Sequence, residues 1–183
     1  TLDPADVWAQ PGHDHYPAYR SAPDPAAVAE AADRLAAARC PVLICGGGVL
    51  IAGAGAALDA LATLLNAPVC SSVSGQGSLA GSHPLNAGVV GTNGGVEATR
   101  AVVAQADLVM FIGARAGSTT TEHWQMPSRK VTIVHLDVDA MTIGTNYRTD
   151  VALVGDALLG LQALHAAVQQ RIARRPADAA DGA

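Results

Sequence analysis

Five short, largely apolar runs, interleaved with helical stretches and with no hairpin turn between any two of them, constrain the fold of this chain most. They are Val42 to Cys45, Pro68 to Ser72, Leu108 to Ile112, Val131 to Leu136 and Val151 to Val154. A strand that is apolar on both faces must be covered on both faces, and strands without hairpins between them pair in parallel through crossovers. The pattern therefore predicts an α/β fold: a doubly wound, mainly parallel sheet with helices on both faces, of Rossmann-like type.

The stretches between the runs carry helix punctuation. Asp24 before Pro25 is an N-cap followed by a first-turn proline, and Val28, Ala32, Leu35 and Ala38 then recur at helical spacing. Leu58, Leu61, Ala62 and Leu65 mark an amphipathic helix ending near Asn66, and 96–106 suits another. Asp156 caps a last helix carrying Leu158, Leu161, Leu164, Val168 and Ile172. The glycine-rich passage up to Gly95 contains no apolar run, and no strand is expected there. Residues 1–23, with Pro4, Pro11 and Pro17, show no periodicity and read as an arm from a missing N-terminal domain. Residues 24–172 form the domain, and 173–183 read as a C-terminal linker.

At 183 residues, half of them hydrophobic, the chain fits one core that buries roughly 70% of its unfolded surface. A net charge of −5 with a single lysine, Lys130, offers no footprint for a phosphate backbone, so nucleic acid is not an expected partner. Cys40, Cys45 and Cys70 lack metal spacing and read as reduced core thiols. No apolar run approaches the roughly 20 residues of a membrane span, and the cytoplasm is the expected compartment.

In an open parallel sheet, ligands bind beyond the carboxyl ends of the strands. Three features stand there. Gly46, Gly47 and Gly48 follow the first strand, either to leave amides open to a diphosphate or to make a tight turn. Gly113, Ala114 and Arg115 follow the run Leu108 to Ile112, and the guanidinium suits a phosphate, an adenine or a salt bridge. Asp137 and Val138 follow Leu136, and the carboxylate suits ribose hydroxyls or its own loop. Ile51 replaces the third glycine of a dinucleotide fingerprint and Ala54 the lysine of a Walker loop, which weakens NAD and ATP readings. His83 beside Pro84 reads as a loop hydrogen-bonder. No nucleophile with a base is visible, so no catalytic residue is expected.

The ordered segments PVLICGGG, PVCSSVSGQGSLAGSHPLNAGVVG, ADLVMFIGAR, VTIVHLDVD and VALVGDA resemble the central domain of thiamine-diphosphate-dependent enzymes of the acetolactate synthase, benzoylformate decarboxylase and oxalyl-CoA decarboxylase family. The resemblance covers about Ala26 to Leu164. It implies a noncatalytic middle domain of a lyase or transferase that decarboxylates or ligates 2-oxo acids or acyl-CoAs. Thiamine diphosphate and Mg²⁺ would be bound by the missing sister domains, because Gly155-Asp156 is followed by Ala157 and not by a metal-diphosphate motif.

In family members the equivalent pocket holds FAD or ADP, and the resemblance maps its contacts to Gly46, Gly47, Gly48, Gly113, Arg115, Asp137 and Val138. Gly117, Thr119 and Asn93 stand where acetolactate synthases have an Asp, an Arg and a His. That departure disfavours FAD against an ADP-like ligand or none. Partners implied are the sister domains and further copies of the chain in a homo-oligomer. The alternatives are a stand-alone FAD-, NAD- or ADP-binding protein of related fold and an oligomerisation scaffold with a degenerate pocket.

Overall fold

A computed structural model describes residues 10–174. The first nine residues of the expected arm and 175–183 of the expected linker lie outside that range.

Five helices and six strands follow in the order α1 (Pro25–Ala37), β1 (Pro41–Cys45), α2 (Gly47–Ile51), α3 (Gly55–Leu65), β2 (Val69–Ser71), β3 (Asn86–Val89), α4 (Glu97–Ala104), β4 (Leu108–Ile112), β5 (Thr132–Asp137), β6 (Val151–Val154) and α5 (Ala157–Ala173). All six strands are parallel and lie in the order β3-β2-β1-β4-β5-β6, so the chain reverses its direction of progress between β1 and β4.

The sixth strand corrects the expectation of five. β3 is an edge strand, half-buried at all four residues, and its pairing with β2 is irregular between Val69 and Cys70. It contains Asn86 and Gly88, so no apolar run could announce it; its ladder to β2 comes from tertiary pairing. α4 is also shorter than 96–106, starting at Glu97 after Val96 and ending at Ala104.

Local chemistry explains the remaining boundaries. Asp24 Oδ1 accepts from the amides of Ala26 and Ala27 at 2.8 and 3.1 Å, opening α1. Asn66 closes α3 in the left-handed conformation at φ 49°, which asparagine tolerates better than most residues. β1 and β4 are buried at every position, as strands covered on both sides must be.

The two faces are covered unequally. On one, Leu43, Met110, Val134 and Leu136 pack with Leu35, Leu58, Leu161 and Leu164 of α1, α3 and α5. On the other, Val42, Ile44, Val109 and Phe111 meet Val103 of α4, while Ala114, Ala116 and Tyr147 from irregular segments complete the cluster. This second face owes part of its cover to loops, and Ala114 of those loops also lines the cleft described next.

One of the three cysteines departs from the expected core placement. Cys45 and Cys70 are buried, but Cys40 is exposed. It follows α1 in the turn to β1, where the amides of Arg39 and Cys40 both donate to the Asp107 carboxylate at 2.8 and 3.0 Å.

Candidate functional site

The reversal between β1 and β4 opens a crevice at the carboxyl ends of the two strands. Such switch points are where open α/β sheets bind ligands, because the flanking crossovers leave on opposite sides of the sheet. A cleft of about 710 Å³ lies there, within the range of roughly 300–1,000 Å³ typical of small-molecule sites. Gly46, Gly47, Gly48, Gly113 and Arg115 all line it. A second cleft of about 240 Å³ shares Gly48, Ile51 and Gly113 with the first and is lined by Asp137 and Val138. The seven residues singled out from the sequence thus line two adjoining clefts.

The glycines serve a different purpose from simple ligand access. The Gly46 amide donates to the Ile112 carbonyl at 2.9 Å and the Gly48 amide to the Gly113 carbonyl at 3.1 Å. A Cβ on Gly46 would lie 2.0 Å from the Gly113 oxygen, and one on Gly48 would lie 2.7 Å from the Gly113 Cα. Gly113 itself sits at φ +55°, in the left-handed region. The turn after β1 and the turn after β4 therefore pack backbone against backbone, and two amides offered to a diphosphate by the sequence are used within the protein. Gly47 differs: a Cβ there would meet only Ser74, at 3.4 Å.

Arg115 is exposed and lines the larger cleft. Among the described residues, none of the ion pairs involves its guanidinium. Its backbone is held instead, since Asn146 Nδ2 donates to the Arg115 carbonyl at 3.2 Å. Asp137 is half-buried, and its Oδ1 accepts from the Asp139 amide at 2.9 Å, so the carboxylate does shape its own loop. Its other oxygen has no hydrogen-bond partner among the described residues.

Several cleft residues carried no sequence signal strong enough to single them out. Ser72, Ser74, Ser118, Thr119 and Thr120 turn the larger cleft into a hydroxyl-rich cup, and Asn146 comes from the loop after β5. Thr119 stands out in the sequence as a departure from the synthase pattern, but its place in the same cleft as Gly46 depends on the loop that follows β4. In that loop Glu122, His123 and Trp124 all take left-handed backbone angles. Arg100 Nε of α4 donates to Glu122 Oε1 at 2.7 Å, and Ser118 Oγ lies 2.9 Å from His123 Nδ1.

Behind the cleft, His135 is buried, with Nε2 2.8 Å from the Ala114 carbonyl and its ring 5.6 Å from Phe111. Burial holds its pKa below the ordinary histidine value; the Ala114 contact and Asp137 only partly offset this. A neutral imidazole here supports the turn that carries Arg115. His83 fills the loop role expected of it, its Nδ1 accepting from the Leu85 amide at 3.1 Å.

The family described as thiamine pyrophosphate enzyme, central domain, matches residues 28–164. The acetolactate synthase of Mycobacterium bovis is 37% identical over 129 residues, covering 70% of this chain and 21% of that protein. The sulfoacetaldehyde acetyltransferase of Roseovarius nubinhibens is 36% identical over 137 residues, covering 72% of this chain and 22% of its own length. The crystal structure of benzoylformate decarboxylase from Polynucleobacter necessarius superposes with a TM-score of 0.68 at 25% identity, over 81% of this chain and 28% of that one. The chain spans only a part of the curated relatives it matches, 23% of the protein from Methanococcus aeolicus and 31% of that from Pseudomonas aeruginosa.

Proposed function

The chain belongs to the thiamine pyrophosphate enzyme central-domain family, and from that premise we propose that it is the structural middle domain of a larger enzyme and binds an ADP-like nucleotide at the β1–β4 crossing. The observation that carries the nucleotide reading is the Arg115 guanidinium, in no ion pair among the described residues, lining a cleft at the switch point with five hydroxyl-bearing residues. A planar cation with five donors suits phosphate oxygens, and the hydroxyls add donors without adding negative charge. Asp137, in the adjoining cleft, offers an acceptor for ribose hydroxyls. FAD remains the disfavoured ligand, because Gly117, Thr119 and Asn93 replace charged or ring-bearing residues of the synthase pattern.

The parent enzyme, on this reading, decarboxylates or ligates 2-oxo acids or acyl-CoAs with thiamine diphosphate and Mg²⁺. Its relatives include an acetolactate synthase and a sulfoacetaldehyde acetyltransferase by name. The residues of this domain do not fit the metal-bound diphosphate of thiamine. Among the described residues no three His, Cys, Asp or Glu side chains gather to hold a metal, and Asp156 is committed to capping α5 and to Arg20. That cofactor then belongs to sister domains, which supply the carbanion chemistry, and the isolated domain is inactive. Exposed Ile51, Val73 and Val138, which line the two clefts, favour burial against sister domains or a second copy in a homo-oligomer. None of the described helices is long and apolar enough to cross a membrane.

A thermal-shift series with ADP, FAD, coenzyme A, NAD and thiamine diphosphate tests the nucleotide reading. A ligand at 100 times its Kd adds about 2.7 kcal/mol. Stabilisation by ADP that disappears in Arg115→Ala is the expected result. No stabilisation by any of the five ligands would leave the domain as an oligomerisation scaffold with a degenerate pocket.

A further inference from the structure

The smaller cleft has a wall that neither the strand ends nor their turns provide. Tyr16, Pro17 and Tyr19 of the N-terminal arm line it together with Ile51, Asp137 and Val138. The chain contains three tyrosines; Tyr147 is buried, whereas Tyr16 and Tyr19 are 78% and 70% exposed. Core packing therefore does not account for the two rings at the cleft.

The arm is fixed in place beside those rings. Arg20 Nη1 donates to Asp156 Oδ2 at 2.7 Å, and the Asp156 amide donates to the Ser21 carbonyl at 2.8 Å. Pro23 is buried against Gly155, where a Cβ would lie 2.7 Å from the proline ring. The Tyr19 ring is braced from behind, edge-on to His13 at 5.4 Å between centroids, with Gln10 Nε2 donating to its hydroxyl at 3.4 Å. A charged pair with a carboxylate that is only 8% exposed is a costly arrangement to keep unless both groups are matched. Here it ties a segment expected to be a linker to the start of α5.

The chemistry of the cleft selects a class of occupant. Two aromatic rings and two exposed aliphatic side chains, Ile51 and Val138, line the cleft together and make much of its lining apolar. At about 240 Å³ it falls below the roughly 300 Å³ of a whole small-molecule site, so it suits one ring system of a larger ligand. Asp137 supplies an acceptor at its edge, and the shared Gly48 and Gly113 lead into the hydroxyl-rich cleft.

We propose that Tyr16 and Tyr19 are base-binding residues, stacking the heteroaromatic ring of a nucleotide whose phosphates lie by Arg115, and that the Arg20–Asp156 pair latches the arm in the stacking position. The inference rests on the nucleotide reading given above and adds to it a specificity element outside the strand turns.

Calorimetric titration of the full chain with ADP and, separately, with inorganic pyrophosphate tests it. The double variant Tyr16→Ala/Tyr19→Ala should weaken ADP binding about tenfold or more, given the strength of base–aromatic stacking, while pyrophosphate binding stays within twofold. Tyr16→Phe/Tyr19→Phe should retain wild-type affinity, and Arg20→Gln should weaken ADP alone. Unchanged ADP affinity in the alanine variant overturns the proposal and leaves the nucleotide reading standing. Equal loss of both ligands also overturns it, since the arm would then act on the whole site. Failure of the wild-type chain to bind ADP overturns the nucleotide reading and this inference with it.

Discussion

Gly46 and Gly113 meet so closely that a Cβ on Gly46 would lie 2.0 Å from the Gly113 carbonyl oxygen. The contact joins the ends of β1 and β4, and it fixes the floor of the larger cleft. Gly46→Ala or Gly48→Ala must separate the two turns, costing about 3 kcal/mol or more in urea unfolding. Gly47→Ala meets only Ser74 at 3.4 Å and should fold with near-wild-type stability. If Gly47→Ala also abolishes ADP binding, its open Cα is what the ligand approaches.

Asp156 does two tasks at once. Its Oδ1 accepts from the amides of Leu158 and Leu159 at 3.0 and 3.2 Å, while Oδ2 accepts from Arg20 at 2.7 Å. Asp156→Ala loses both and should cost about 2 kcal/mol or more. Asp156→Asn keeps an oxygen for the cap and should cost less. Equal losses in the two variants, read from urea midpoints, would assign all of the stabilisation to the charged pair.

His135 sets a pH dependence with a definite sign. Burial holds its folded pKa below the ordinary 6.5, so between the folded and unfolded values the unfolded chain binds more protons. Stability is therefore fully present above about pH 6.5 and declines as the pH falls below it. Urea midpoints measured from pH 8 to pH 5 should show this decline, and His135→Gln should flatten it.

The three thiols should divide by environment. Burial pushes Cys70 up to about 12 and Cys45 higher still, with the neighbouring Cys70 adding to the effect. A thiol reagent at pH 8 should modify Cys40 rapidly and the other two only on unfolding. Rapid modification of a second thiol in the native protein would contradict the buried placement.

Much of the fold was legible because its signals are local. Asp24 and Asp156 announced their helices by bonding to amides two and three residues ahead, and Asn66 marked the end of α3. β1, β4 and β5 were apolar enough to stand out against their turns. β3 was not, since an edge strand holding Asn86 and Gly88 has only one neighbour to satisfy and no buried pair of faces to advertise. At the site, Arg115 and Asp137 could be placed at strand ends by counting residues. The hydroxyl cup and Asn146 could not, because they arrive on loops whose path is set by what they pack against.

The sequence by itself determined the layered α/β class, the helix caps and which residues end the strands. Periodicity and capping act over two to four residues, and so they survive in one dimension. Only the tertiary structure decided that β1 lies beside β4, that Gly46 and Gly48 serve a backbone contact, and that Tyr16 and Tyr19 reach the Asp137 cleft. Each of those depends on contacts between segments far apart in the chain, as Arg20 and Asp156 are, separated by 136 residues. Strand order and long-range contacts are set by the competition among alternative packings of the same elements, which no local pattern records.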